Sequence, residues 1–213
     1  MTEITAELLL HAYSIGIFPM AESHDDPELF WVDPRRRGIF PLEGFHLSRS
    51  LKRRMRKGGY IPVINHDFME LLAACGDREE TWINPTLTAL YIELHARGFA
   101  HSFEIRGEEG ALWGGVFGIT LGCAFFGESM VSRRTDGSKL ALAHLTDHLR
   151  RAGFSLFDTQ FITPHLASLG AIEIPRAAYR QQLEAAIARK GRFLETTVEP
   201  DPAQVIQRST HTS

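Results

Sequence analysis

The chain has 213 residues, of which 44% are hydrophobic, and its formal net charge at pH 7 is −3. These totals exclude a disordered chain and predict one domain, or a small domain joined to one of ordinary size. The weak negative charge excludes strong attraction of the whole molecule to nucleic acid, so any such binding must come from a local patch. The chain has only two cysteines, which disfavours a disulfide framework and favours a reducing compartment.

The hydropathy pattern predicts no association with a membrane. No apolar run reaches the roughly 18 residues that a membrane-spanning helix needs. The first seven residues are acidic and lack the basic leader of a signal peptide. We therefore expect a cytoplasmic protein.

Residues 1–58 predict a small N-terminal domain. A short helix is expected over residues 5–14. Residues 30–41 alternate aromatic residues with Pro, Gly and three Arg, which indicates compact irregular structure. Ser48 is a suitable N-cap for a helix through Lys57, and the glycine pair that follows ends this helix and marks the predicted domain boundary.

This last helix is unusually cationic. It carries six basic side chains and no acidic one, namely Arg49, Lys52, Arg53, Arg54, Arg56 and Lys57. With Arg35 to Arg37 they make nine of the 23 Lys and Arg residues. A short run of charge is usually a solvated face. Because the whole chain is acidic, this concentration instead favours an anionic partner, with phosphate as the obvious candidate.

The pattern over residues 59–213 indicates a larger domain of helices and strands, which we expect to be the catalytic one. In chain order we expect a strand at 60–64, helices opening at Asp67 and Asn84, strands at 101–106, 111–121 and 123–132, a helix at 139–152, a strand at 155–162, a helix at 177–190, a strand at 193–198 and a frayed polar tail from Pro200. This order is typical of an α+β fold with a mixed sheet. It resembles the acetyltransferase (GNAT) superfamily, in which an antiparallel meander precedes strand, helix and strand.

The loop that would bind coenzyme A in that superfamily is altered here. Those enzymes hold the pyrophosphate on a glycine-rich loop before a helix. The corresponding loop keeps Gly137, but Lys139 replaces the last small residue and Asp136 faces the diphosphate position. We therefore expect a different ligand.

Two strands carry polar residues that an apolar core would not need. Glu128 interrupts the apolar run Phe125–Met130, and an unpaired buried charge is costly. Asp158 and Gln160 lie two apart on one strand, so they are expected to share a face. Each set also has a purely structural explanation. Glu128 could be a buried acid paired with an Arg, and Asp158 and Gln160 could be a structural hydrogen-bonded pair. Together they favour a site that orients an amine and helps it to lose a proton, as acyl transfer to an amino group requires.

Other candidate chemistry is weaker. His144 and His148 have the i, i+4 spacing of some zinc helices, but no third ligand is evident, so we interpret them as surface or packing histidines and expect no metal. Cys75 and Cys123 have no CxxC partner and are expected to be buried thiols. Ser129 lacks the context of a nucleophile elbow.

Motifs spread over the chain carry a closer resemblance. They are Tyr13–Met20, Trp31–Arg35, Phe45–Leu51, Thr81–Ile83, His95 with His101–Glu104, Gly114–Gly118, Phe125–Met130, Ser138–Leu142, Asp158–Gln160 and His165–Ala171. In this combination and order they resemble the bacterial leucyl/phenylalanyl-tRNA–protein transferase family. The resemblance implies transfer of Leu or Phe, less often Met, from aminoacyl-tRNA to the α-amino group of proteins with N-terminal Arg or Lys. The product is an N-end-rule degradation signal.

The resemblance also implies a small N-terminal domain, an acetyltransferase-like C-terminal domain, no metal and no organic cofactor, and we expect a monomer. Asp158 and Gln160 would act near the acceptor amine, and Glu128 would bind the cationic side chain or organise Gln160. Trp31 and Trp82 would stack on the terminal adenosine of the tRNA. The remaining roles are a pocket for the transferred side chain, formed by Phe125, Leu142, Leu145, Leu149 and Phe157, and a phosphate contact to the acceptor stem by the basic helix.

Four residues depart from the family pattern, namely Trp113, Val131, Gly137 and Thr159, which replace a smaller aliphatic residue, Phe, Ala and Cys respectively. Thr159 is expected to face away from the site. Trp113 and Val131 are candidates for reshaping a pocket wall, which leaves the preference between Leu and Phe open. Two rival functions remain, a coenzyme-A-dependent N-acetyltransferase and a non-catalytic tRNA-binding module.

Overall fold

A computed structural model describes residues 4–26, 28–77 and 81–210. The N-terminal part contains five elements, which are α1 (Ala6–Ser14), β1 (Phe18–Met20), β2 (Phe30–Val32), β3 (Arg36–Phe40) and α2 (Arg49–Lys57). The rest contains β4 (Tyr60–Ile64), α3 (Phe68–Gly76), α4 (Pro85–Ala96), β5 (Ala100–Gly107), β6 (Leu112–Leu121), β7 (Ala124–Ser132), α5 (Gly137–Arg151), β8 (Leu156–Gln160), α6 (Pro164–Ser168), β9 (Ile172–Pro175), α7 (Arg176–Ile187) and α8 (Pro202–Thr210).

A seven-stranded mixed sheet forms the centre, in the order β4-β5-β6-β7-β8-β3-β9. Strands β7 and β8 pair in parallel, and the other neighbours pair antiparallel. Strands β1 and β2 form a separate antiparallel ribbon. The predicted α+β class with a mixed sheet is confirmed.

Helices cover both faces of this sheet. One core joins α1, α3, α4 and α7 to the sheet, and the other joins α2, α5 and α8 to it. Because successive strand residues point to opposite faces, Phe125 belongs to the second core and Phe126 to the first. Because helices cover both faces, all eight residues of β5 are buried. No helix in the described ranges is both long and apolar enough to cross a membrane.

Three predictions about secondary structure are wrong. Irregular structure was expected over residues 30–41, which instead contain the strands β2 and β3. The predicted strand at 193–198 is absent from the described sheets, and Phe193 instead packs its ring against His148 and Phe125. The tail that was expected to fray forms α8, because Val205 and Ile206 are buried and Arg208 pairs with Asp147 at 2.6 Å. Strands β1 and β9 and helix α6 were not predicted, and residues 211–213 lie outside the described ranges.

Strand β3 also crosses the predicted domain boundary. It comes from residues 1–58, yet it lies between β8 and β9 in the large sheet. The end of α2 at the glycine pair therefore does not separate the N-terminal segment from the sheet. The division into two domains stays a prediction.

The side chain of Arg37 holds β3 in this position. Arg37 was expected to belong to a phosphate-binding surface, and that prediction is wrong because the side chain is 1% exposed. Its Nε and Nη2 donate to the two carboxylate oxygens of Asp158 at 2.8 and 2.6 Å, and its Nη1 donates to the carbonyl of Gly16 at 3.0 Å. The guanidinium also lies over the rings of Phe18 and Tyr179.

We expect Arg37→Leu to destabilise the fold by about 3–5 kcal/mol, because it leaves the Asp158 carboxylate buried without its counter-charge. The neighbouring Arg36 makes an exposed pair with Glu173, so Arg36→Leu should cost less than about 1 kcal/mol. Urea unfolding of both variants measures the difference, and equal losses would contradict this role of Arg37.

Candidate functional site

A pocket opens where β7 and β8 separate. The parallel pairing of these strands ends at Phe126 and Asp158, and the residues that follow on each strand form the two sides of the opening. Helices α5 and α6 contribute one residue each. The lining consists of Val116, Gly127, Glu128, Ser129, Met130, Leu142, Phe157, Thr159, Gln160 and Leu166, around about 100 Å³ of free space.

Glu128 and Gln160 meet across this opening, as the sequence predicted for neighbouring strands. Nε2 of Gln160 donates to Oε1 of Glu128 at 3.3 Å, and the hydroxyl of Tyr91 donates to Oε2 at 2.9 Å. The carboxylate is therefore held from two sides. Part of the Glu128 side chain stays accessible from the pocket.

Burial raises the pKa of Glu128 from its ordinary 4.5 to about 7, because desolvation penalises the charged form. The hydroxyls of Tyr13 and Tyr91 stabilise the ionised form and offset part of this rise. The Asp158 charge raises this pKa further, and the Arg37 charge lowers it. Glu128 is thus a carboxyl group that can gain or lose a proton near neutral pH.

Asp158 lies behind the pocket instead of in it. Its side chain is completely buried, and it accepts four hydrogen bonds: two from Arg37, one from the Tyr179 hydroxyl at 2.6 Å and one from the backbone N–H of Gln160 at 2.8 Å. The prediction that Asp158 and Gln160 share a strand face is wrong. Asp158 points toward α7, and only its bond to Gln160 connects it to the pocket.

A turn at Gln160 explains this difference. Gln160 has a φ of +55°, so the strand period of two does not extend to its side chain. Gly38 makes the turn possible, because a Cβ there would lie 2.7 Å from the backbone of Phe161 and 2.8 Å from the Thr159 hydroxyl. Thr159, which was expected to face away, lines the pocket because it lies two residues after Phe157, on the same face of β8.

Two of the five predicted apolar residues line the pocket. Leu142 and Phe157 form part of its wall. Phe125, Leu145 and Leu149 are fully buried in the second core and are not among the lining residues. The sequence reasoning missed three apolar lining residues, Val116, Met130 and Leu166, although all three fall in or beside the motifs that carry the family resemblance.

The two tryptophans predicted to stack on adenosine lie outside the pocket wall. Trp31 is 39% exposed on β2, opposite Pro19. Trp82 is partly buried and meets the ring of Tyr91 edge-on at 6.5 Å. Since Tyr91 binds Glu128, Trp82 is one ring away from the site. Their role in binding adenosine stays a prediction.

Helix α2 forms as the sequence predicted, with the Ser48 hydroxyl accepting from the Leu51 N–H at 3.1 Å. It packs through Leu51 and Met55. Within the residues that the structure describes, none of its six cations has a carboxylate partner. They are Arg49, Lys52, Arg53, Arg54, Arg56 and Lys57. Phosphate binding by this surface stays a prediction.

The two histidines of α5 are packing residues, which confirms their interpretation. Nε2 of His144 lies 3.1 Å from the Tyr60 hydroxyl, and Nε2 of His148 lies 2.8 Å from the carbonyl of Phe193. Burial lowers the pKa of His144 to about 4 and also lowers that of His148. Both cysteines are buried and free, as expected.

The fold has a counterpart in the crystal structure of FemX. That structure superposes with a TM-score of 0.50 at 12% sequence identity and covers 85% of this chain and 73% of its own. At this identity the likeness shows the fold alone, an α+β protein built around a mixed sheet.

Sequence comparison defines the family. Residues 39–184 match the family model described as leucyl/phenylalanyl-tRNA protein transferase, and residues 2–35 match the model of its N-terminal domain. A relative from Cereibacter sphaeroides is 64% identical over 99% of this chain and 98% of its own length. One from Ruegeria pomeroyi is 63% identical over 97% and 98%. Both are named leucyl/phenylalanyl-tRNA–protein transferase. The chain belongs to the leucyl/phenylalanyl-tRNA protein transferase family, so the resemblance and the prediction of an enzyme of this family are confirmed.

The raised pKa of Glu128 predicts a pH-dependent effect on stability. The unfolded chain binds fewer protons at this position between pH 4.5 and 7, so the contribution of Glu128 is fully present below pH 4.5 and is lost as pH rises through 7. The free energy of unfolding of Glu128→Gln, taken relative to the wild type, should therefore be roughly 1–3 kcal/mol higher at pH 8 than at pH 5. Urea unfolding at the two pH values measures this, and Glu22→Gln, at an exposed position, controls for the lost charge. If the difference between variant and wild type did not change with pH, the raised pKa of Glu128 would be contradicted.

Proposed function

We propose that this enzyme transfers Leu or Phe, and less often Met, from its tRNA to the α-amino group of proteins that begin with Arg or Lys. The product is an N-end-rule degradation signal. The observation that carries the proposal is a carboxylate and a carboxamide, Glu128 and Gln160, set at the edge of an apolar pocket. We also propose an acetyltransferase-like fold, a cytoplasmic location and a monomer.

The apolar side of the pocket suits the transferred side chain. Its wall combines Val116, Met130, Leu142, Phe157 and Leu166, which offer no charged partner. An apolar wall excludes charged side chains through their desolvation cost. It separates apolar ones only by size, with one methylene worth about 1–3 kcal/mol. Acceptance of Leu, Phe and Met follows from this property.

The polar side of the pocket suits the acceptor amine. Because Gln160 uses its Nε2 to bind Glu128, its amide oxygen is the atom available to accept an N–H bond from the amine. Glu128 adds a negative charge that favours a cationic N-terminal residue when it is ionised. Asp158 positions Gln160 through the backbone N–H and the turn.

Glu128 lines the pocket beside Gln160, and its pKa is raised to about 7, so we assign it as the group that accepts the proton. The amine nitrogen attacks the ester carbonyl carbon of aminoacyl-tRNA, and its proton passes to Glu128. The bond from the carbonyl carbon to the ribose oxygen then breaks, and the leaving ribose oxygen takes this proton from Glu128, which restores the carboxylate. Asp158, whose oxygens already accept four bonds, is a positioning residue. The ester is activated before it reaches the enzyme, so the reaction requires no metal, no organic cofactor and no covalent enzyme intermediate.

Trp31 and Trp82 would stack on the terminal adenosine, and α2 would hold the phosphates of the acceptor stem. Coenzyme A chemistry is disfavoured by the loop before α5, where Lys139 pairs with Asp136 at 2.9 Å. This pair occupies the start of the helix, where a diphosphate would need free N–H groups.

The decisive experiment supplies labelled Phe-tRNA or Leu-tRNA with a peptide that begins with Arg, and looks for label on the peptide. An otherwise identical peptide with an acetylated N-terminus is the matched control. Acetyl-CoA replaces the tRNA in a third reaction. Acetyl transfer would support the acetyltransferase alternative, and binding of tRNA irrespective of charging, without any product, would support a non-catalytic module.

We expect Glu128→Gln to lower kcat/KM by about 10²–10⁴, because the amine then lacks its proton acceptor. In the wild type the rate should rise with pH as Glu128 ionises near pH 7. Tyr91→Phe removes a donor to the ionised carboxylate and should move this midpoint to higher pH. An unchanged pH profile in Tyr91→Phe would assign the proton to another group.

Asp158→Ala should also reduce transfer, because Gln160 loses the acceptor that positions it. Near-normal transfer with intact tRNA binding would contradict the positioning role of Asp158.

A further inference from the structure

Trp113, at the start of β6, brings two cations together. The Cζ atom of Arg54 lies 5.1 Å from the centroid of its ring, and the Cζ atom of Arg134 lies 4.9 Å from the same centroid. Both distances are within the range of cation–π attraction. The two guanidinium groups are therefore at most about 10 Å apart, although one belongs to α2 and the other to the segment between β7 and α5.

The backbone around Trp113 fixes the second cation. The carbonyl of Trp113 accepts from the N–H groups of Arg133 and Arg134 at 2.8 and 2.9 Å. Gly137 packs so closely on this carbonyl that a Cβ there would lie 2.2 Å from its oxygen. On the other side, the Trp113 ring lies 3.8 Å from the Cβ position of Gly59, just after α2. Trp113 thus fastens the end of α2 to the start of α5.

We propose that Arg54 and Arg134, held over the Trp113 ring, form a clamp for the phosphate backbone of the tRNA, which continues the cationic surface of α2 onto the β7–α5 segment. This inference rests on the proposed function. A guanidinium held near a ring by cation–π attraction keeps N–H donors for bidentate hydrogen bonds, and phosphate matches that geometry. Arg54 spends one donor on the carbonyl of Gly58 at 3.0 Å.

The carboxylates near Arg54 and Arg134 do not prevent these two side chains from binding a phosphate. Glu109 approaches Arg134 only to 3.6 Å, and both side chains are more than half exposed, so this pair contributes little and can give way to a phosphate. Asp77 pairs with Arg133, and Asp136 pairs with Lys139. Arg54 has no carboxylate partner among the described residues. Two cations that share one ring repel each other, and a bound anion offsets that cost.

The test measures binding of Phe-tRNA between about 50 and 200 mM salt. Arg134→Ala should weaken binding several-fold and flatten the slope of log K against log salt by about one, because one phosphate contact is lost. Trp113→Leu should weaken binding too, and adding Arg134→Ala to it should have a smaller effect than in the wild type. Lys190→Ala, at an exposed position that pairs with Glu195 only at 3.9 Å, is the matched control. A slope for Arg134→Ala equal to that of Lys190→Ala would overturn the clamp, even if Trp113→Leu fails to fold.

A second measurement separates this inference from the proposed function. Transfer of Phe to an Arg-initiated peptide is followed with full Phe-tRNA and with 3′-phenylalanyl-adenosine, which has no acceptor stem. Arg134→Ala should raise KM for Phe-tRNA several-fold and leave kcat/KM for the short donor unchanged. Equal effects on both donors would overturn the clamp. Absence of transfer by the wild type from either donor would instead overturn the proposed function.

Discussion

The buried ion pair between Arg37 and Asp158 is the interaction on which the rest of the structure depends. It joins β3 to β8, and its other partners, Gly16 and Tyr179, belong to the turn after α1 and to α7. Taking both charges out of water is expensive, and only complete hydrogen bonding offsets that cost. The pair meets this condition with two direct bonds, two further donors to Asp158 and a carbonyl acceptor for Arg37. This is why the N-terminal segment places a strand inside the large sheet.

The same pair shapes the site. Asp158 accepts from the backbone of Gln160, and the small volume of Gly38 lets the chain turn there. The turn directs the Gln160 amide to Glu128. Two carboxylates of one site thus have different environments: one is fully bonded to the scaffold, and the other faces the pocket with a pKa near neutrality. This difference supports separate roles, with Asp158 holding the geometry and Glu128 moving the proton.

The sequence predicted those elements whose pattern is local. Strands β5 to β7 are strand-like runs between glycine turns, and helix α4 has an Asn cap followed by Pro, so each was evident from its own residues. Strand β3 was hidden because it begins with two Arg and a Gly, and the partner that makes a buried Arg37 acceptable there lies 121 residues away. Helix α8 was missed for a similar reason, since its short apolar pair is stabilised by a salt bridge to Asp147 on α5.

The sequence by itself determined the family, the α+β class and the cationic helix, because motifs and periodicity are properties of consecutive residues. Only the tertiary structure decided that Asp158 lies behind the pocket, that Thr159 lines it and that Arg37 is buried. An uninterrupted period of two would have placed Gln160 on the same face of β8 as Asp158. The left-handed backbone at Gln160 breaks that period, and it depends on a glycine and an ion pair contributed by a strand remote in sequence.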